Sequence, residues 1–128
     1  MCEVSNKTHT TAALVDFSAD KPIVLAPKVA GQRDMPWDFS FYSIAPVFAN
    51  GWALLGEQDK WISVSADRFT DVTTLSNGLV VKLRGTPGEV VNVSFKKPGQ
   101  ETPLVVSCTV PQSSTVKIVS SAAKCATW

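Results

Sequence analysis

The apolar residues of this chain recur at every second position, in short runs broken by Pro, Gly, Asn and Asp roughly every eight to twelve residues. A period of two is that of a strand with one buried face, and no stretch carries the period of 3.6 that an amphipathic helix needs. The pattern predicts strands over Thr11 to Phe17, Pro22 to Ala26, Phe39 to Phe48, Trp52 to Glu57, Trp61 to Val64, Phe69 to Leu75, Leu79 to Arg84, Glu89 to Phe95, Leu104 to Val110 and Thr115 to Ser120. Many short strands with frequent turns are the mark of an all-β protein, read here as a two-layer antiparallel β-sandwich. A chain of 128 residues is the size of one domain. Residues 1–128 are therefore read as one sandwich, with 1–10 as a flexible or edge segment.

The turns carry their own chemistry. Asn77-Gly78, between alternating runs, predicts a hairpin with a type I′ turn, and Asn50-Gly51 repeats the signal before Trp52. Thr86-Pro87-Gly88-Glu89 has the form of a type II turn. Alternation assigns Leu79, Val81 and Leu83 to one face and Val80, Lys82 and Arg84 to the other. It likewise separates Val91, Val93 and Phe95 from Val90, Asn92 and Ser94.

Charge narrows the function classes. The net charge is +1 and no Lys/Arg run forms a phosphate-tracking stripe, so nucleic acid is not expected as a partner. The longest uncharged run, Phe39 to Gly56, is broken by Pro46, Asn50 and Gly51 and reads as two strands and a turn, with no membrane expected. The start of the sequence lacks a basic segment followed by an apolar one, so the chain reads as cytoplasmic. Cys2, Cys108 and Cys125 are odd in number and widely spaced, which argues against a disulfide framework or a zinc site and for three thiols in a reducing compartment. The sequons at Asn6 and Asn92 are read as chance.

No cofactor or metal is expected. His9 is the only histidine, and no glycine-rich phosphate cradle occurs. Glycoside hydrolysis needs two carboxyl groups across the scissile bond, and the candidates nearest in sequence are Glu57 with Asp59 and Asp67 with Asp71. Both pairs read better as polar loop residues, with Lys60 or Arg68 as solvated partners. Aromatic faces offer a second option, because a flat ring stacks on the C–H face of a sugar while polar neighbours bond its hydroxyls. Trp52, in an apolar run, reads as core, whereas Trp37 and Trp61 lie beside charged residues. Trp37, Trp61, Glu57 and Asp59 form the candidate ligand site, and no catalytic residue is assigned.

The strand "FSFYSIAPVF", a turn, "GWALLGEQDKW" and the tail "GLVVKLRGTPGEVVNVSF" together resemble the C-terminal β-domain of α-galactosidase-like and raffinose-synthase-like proteins. Phe41, Tyr42, Ala45, Pro46, Val47, Gly56, Asp59, Lys60 and Trp61 carry the likeness, which continues more loosely to Phe95. In "NGWALLGE" the chain departs from plant raffinose synthases. The resemblance implies a non-catalytic sandwich that caps a (β/α)8 barrel, because in that family the catalytic carboxylates belong to the barrel. A carbohydrate-binding module and an Ig-like interaction domain are the alternatives. The expected partners are the barrel of a parent protein and, in the second reading, carbohydrate.

Overall fold

A computed structural model describes residues 2–6, 14–24 and 42–127, and the chain divides into two compact units, Met1–Pro46 and Val47–Trp128. Each unit is described by itself. The first is a three-stranded antiparallel sheet in which β1 (Cys2–Asn6) lies between β2 (Leu14–Phe17) and β3 (Tyr42–Pro46). Cys2 pairs with Phe17 on one side and with Pro46 on the other.

The second unit is the two-layer antiparallel β-sandwich. One sheet has the order β10 (Lys124–Thr127), β9 (Thr115–Val119), β6 (Gly78–Arg84), β5 (Phe69–Leu75). The other has the order β4 (Ala53–Gly56), β7 (Val90–Lys96), β8 (Leu104–Thr109). Three hairpins build it, β5–β6, β7–β8 and β9–β10, and the connections β4–β5, β6–β7 and β8–β9 cross between layers. Inward positions from both sheets make one core: Leu79, Val81, Leu83 and Ile118 from one layer, and Val93, Phe95 and Val106 from the other. Leu79, Val81, Leu83, Val93, Phe95 and Ile118 are each 0% exposed; alternation placed the first five correctly, but Ser94, assigned to the wet face with Val90 and Asn92, is buried at 5% exposure. Removing such side chains from water is the main driving force here, of order 1.5–3 kcal/mol each.

Phe69 to Leu75 is a strand, as the pattern predicts, and the runs at Leu79, Glu89, Leu104 and Thr115 appear within a residue or so of their expected limits. The Phe39 to Gly56 run forms β3, a turn and β4, with residues 39–41 outside the described part. Pro22 to Val24 lies outside any strand, while residues 11–13, 25 and 26 are not described. β10 was not expected, because it is short and poor in apolar residues, and β1 falls in the segment read as flexible or edge, where it lies between β2 and β3.

Three expectations are corrected. Trp61 to Val64 is a bend and not a strand: Gly56 has φ +74°, and the Glu57 amide bonds the Ser63 carbonyl at 2.9 Å, which folds the chain back on itself. The β5–β6 hairpin has Ser76 and Asn77 as its two loop residues, flanked by the pair Leu75 and Gly78. None of Ser76, Asn77 and Gly78 has a positive φ, so the turn is not type I′. Gly78 is needed for space instead, since a Cβ there would lie 2.8 Å from the Ser121 Cβ and 2.9 Å from the Ser120 Oγ. The type II reading at Gly88 holds, with φ +84° and the Glu89 amide bonding the Thr86 carbonyl.

The third correction concerns the cysteines. Cys108 and Cys125 form a disulfide with Cα atoms 5.8 Å apart. Cys108 pairs with inward Val91 and Cys125 with inward Ile118, so the bond crosses the layers and ties edge strand β8 to edge strand β10. Spacing along the chain could not show this, because the pairing depends on β10, which carries no alternating pattern of its own.

Candidate functional site

The residues singled out between Glu57 and Arg68 form the compact connection that crosses from β4 to β5. At its start, a Cβ on Gly56 would lie 2.0 Å from the Ser63 carbonyl oxygen, so glycine is required both for space and for its positive φ. The Lys60 amide bonds the Glu57 carbonyl at 3.1 Å and the Gln58 amide group donates to the Leu55 carbonyl. At its end, the Phe69 amide bonds the Ser65 carbonyl at 2.8 Å. A loop with close ends and internal bonds is rigid for its length.

Arg68 clamps the base of this loop with all of its guanidinium donors. Its Nε and Nη2 donate to the two carboxylate oxygens of Glu57 at 2.9 and 2.8 Å. Its Nη2 and Nη1 donate to the oxygens of Glu89 at 2.6 and 2.9 Å, and Nη1 also donates to the Arg84 carbonyl at 3.1 Å. Lys60 Nζ adds a contact of 2.9 Å to Glu57 Oε1. The planar fork matches two carboxylates at once, which a lysine could not do. Gly85 lies against this cluster, and a Cβ there would come within 2.8 Å of Glu89 Oε2.

Glu57 is 3% exposed. Burial pushes its carboxyl upward, but the hydrogen bonds of Arg68 and Lys60 outweigh that and hold it below the usual value. The bonds from Arg68 hold the Glu89 carboxyl down to about 2, assisted by the Thr86 amide. Both carboxylates, in turn, raise Arg68 above its ordinary value. Each glutamate directly follows a glycine of positive φ, Gly56 or Gly88, and these two Gly-Glu turns are the sequence signal that could have pointed to the cluster.

The predicted ligand residues are not gathered into one site. Trp37 lies outside the described residues, as do Trp128 and His9. Glu57 has both Arg68 and Lys60, the two partners the sequence offered, but its carboxylate is buried and not solvated, with both oxygens occupied. Asp59 is exposed on the loop. Trp61 and Ile62 project at its tip, 70% and 72% exposed, with Val64 beside them at 41%. Asp67 is exposed, while Asp71 lies on β5 and accepts the Thr73 hydroxyl at 3.2 Å.

Trp52 is 5% exposed and belongs to the core, as expected from its apolar run. It forms part of the floor of an open groove of about 480 Å³ bordered by Asn77, Lys97, Gln100, Leu104 and Ser121. So little of the indole reaches the surface that it offers no stacking platform. Among the described residues no group of three or more His, Cys, Asp or Glu side chains converges as a metal site. Comparison with protein-family models, curated proteins and solved structures finds no match, so the likeness to α-galactosidase-like domains rests on the residues that carry it.

Proposed function

We propose that this chain is a non-catalytic accessory β-sandwich that docks on a neighbouring protein domain through the tip of the loop between β4 and β5. The observation that carries this reading is the exposure of adjacent Trp61 and Ile62, 70% and 72%, on a loop whose base is clamped by five donors of one arginine. Large apolar side chains presented on a braced support gain on the order of 1.5–3 kcal/mol each when a partner covers them, without a further entropic cost of ordering the loop. Arg68 and Lys60 hold Glu57 and Glu89, at the base of the loop, ionised, which supports a non-catalytic reading. A catalytic barrel is the partner that the sequence resemblance implies for this tip. The Cys108–Cys125 bond supports assigning the chain to an oxidising compartment rather than the cytoplasm.

Sedimentation velocity tests the docking surface. Reversible self-association of the wild type at high concentration, abolished by Trp61→Ser with Ile62→Ser at unchanged circular dichroism, is the expected result. A wild type that remains strictly monomeric would count against it. Titration of tryptophan fluorescence with galactose, raffinose and melibiose, beside Trp61→Ala, separates the alternative: saturable quenching lost in the variant would make the loop a sugar site instead.

A further inference from the structure

Asn92-Val93-Ser94 has the form of an N-glycosylation sequon, with a residue other than proline at its centre. A sequon is used where the chain enters a secretory, oxidising compartment and where the folded protein leaves room for a bulky substituent. The Cys108–Cys125 bond supports the first condition. β7 meets the second: Val91, Val93 and Phe95 belong to the core, so Asn92 points to the outer face of the β4-β7-β8 sheet, where it is exposed. Opposite it on β8 stands Ser107, small and also exposed. On its other side the pairing of β4 with β7 ends at Gly56 and Ser94, so no paired residue flanks Asn92 there. Two large apolar side chains share this outer face, Val90 at 62% and Val105 at 55% exposure. Val90 precedes Asn92 by two residues, roughly 6.8 Å along the strand, and Val105, two residues before Ser107, is its diagonal neighbour at about 7–8 Å.

We propose that Asn92 carries an N-linked glycan whose first N-acetylglucosamine lies over Val90 and Val105. The step joins the Asn92 side-chain nitrogen to C1 of the first sugar of a polyprenyl pyrophosphate-linked oligosaccharide. The N–C1 bond forms, the bond from C1 to the pyrophosphate oxygen breaks, the amide gives up one proton, and the polyprenyl pyrophosphate leaves. The Ser94 hydroxyl is the group that marks the acceptor. Ser94 is 5% exposed once folded, so the transfer takes place on the extended chain before β7 closes into the sheet, and a position inside a strand is no obstacle. Folding then turns the modified residue outward by the same alternation that buries Val91 and Val93. There the C–H face of the sugar removes two exposed valines from water while its hydroxyls stay solvated, which masks an apolar patch that would otherwise invite association. The other sequon begins at Asn6, and its Lys7 and Thr8 lie outside the described residues. The inference rests on the oxidising-compartment reading and is independent of the Trp61 loop and of any partner docked there.

The test uses the full chain secreted from cultured eukaryotic cells and digested with peptide-N-glycosidase in heavy-oxygen water. Peptide mass spectrometry before and after digestion reads Asn92, and the thiol state of Cys108 and Cys125 is read on the same sample. The peptide holding Asn92 is expected to carry a glycan in most molecules and, after digestion, an oxygen-labelled aspartate at that position. Asn92→Gln, which changes an exposed residue, and independently Ser94→Ala should each abolish that glycan and its shift in gel mobility, whereas Asn6→Gln should leave it in place. The wild type trimmed by an endoglycosidase to its first sugar should melt above Asn92→Gln, and that difference should vanish when Val90→Ser and Val105→Ser are added to both. Unmodified Asn92 in a secreted chain whose Cys108–Cys125 bond has formed would overturn the inference and leave the compartment reading standing. Free thiols at Cys108 and Cys125 would overturn the compartment reading and this inference with it. A midpoint difference that survives the two serine substitutions would refute the placement of the sugar over the valines.

Discussion

Replacing Arg68 by Met tests whether the partly buried ion cluster holds the sandwich together at the β4–β5 crossing. Met keeps much of the stem volume but removes every guanidinium donor, leaving Glu57, 3% exposed, with Lys60 alone on one oxygen. Removing one partner of a buried ion pair costs roughly 3–5 kcal/mol, because the other charge is left desolvated. Glu89 is 30% exposed and can turn to water, and Lys60 still compensates Glu57, so the lower end, about 3 kcal/mol, is expected. For a unit of this size that corresponds to a fall in midpoint of roughly 12–24 °C. Urea unfolding followed through buried Trp52 measures it, with an unchanged denaturant slope showing that stability alone has altered. Glu57→Gln combined with Arg68→Met should cost clearly less than the sum of the two single changes, since the pair acts as a unit. Arg68→Lys should recover little, because one ammonium cannot span both carboxylates. A loss below about 1 kcal/mol for Arg68→Met, or strict additivity with Glu57→Gln, would refute the reasoning.

The same cluster predicts the pH response. Glu89 titrates near 2 when folded and Glu57 is also depressed, so their contribution is fully present above the ordinary carboxyl value near 4.5 and is lost as pH falls from there toward 2; acid denaturation should begin in that window in the wild type and be flatter in Arg68→Met. Reducing Cys108–Cys125, or replacing both residues by Ala, opens a loop with a sequence separation of 17 and should cost about 3 kcal/mol, read as a lower midpoint with a phosphine reductant. Gly56→Ala should abolish the native fold of the loop, since the added Cβ meets the Ser63 carbonyl at 2.0 Å; loss of dispersed amide resonances or of soluble expression is the readout. Asn50 donates to the Leu75 and Gly78 carbonyls at 2.7 and 2.9 Å and accepts the Trp52 amide, so Asn50→Asp should lose about 2 kcal/mol by setting a carboxylate against two carbonyls.

Much of the fold was legible because side-chain direction along a strand is a local property with a period of two. Leu79, Val81 and Leu83, and then Val91, Val93 and Phe95, could be assigned to the core from alternation alone, and the fold class followed from these runs and their turns. A short element without alternation, β10, was not legible, and Trp61-Ile62, adjacent and both exposed, mimicked a strand that the chain does not form. Within the loop, residue types identified Glu57, Lys60 and Arg68 as possible partners, but not that Glu57 would be buried or that Glu89 would complete the cluster.

By itself, then, the sequence determined the all-β class, the inward faces and the positions of the main turns, because each depends on neighbours a few residues apart. The tertiary structure alone decided that Cys108 meets Cys125, that one arginine clamps Glu57 and Glu89, and that Val105 lies beside Asn92 on one exposed face. These groups are far apart along the chain and meet through cross-strand register and the stacking of two sheets, which no local pattern encodes.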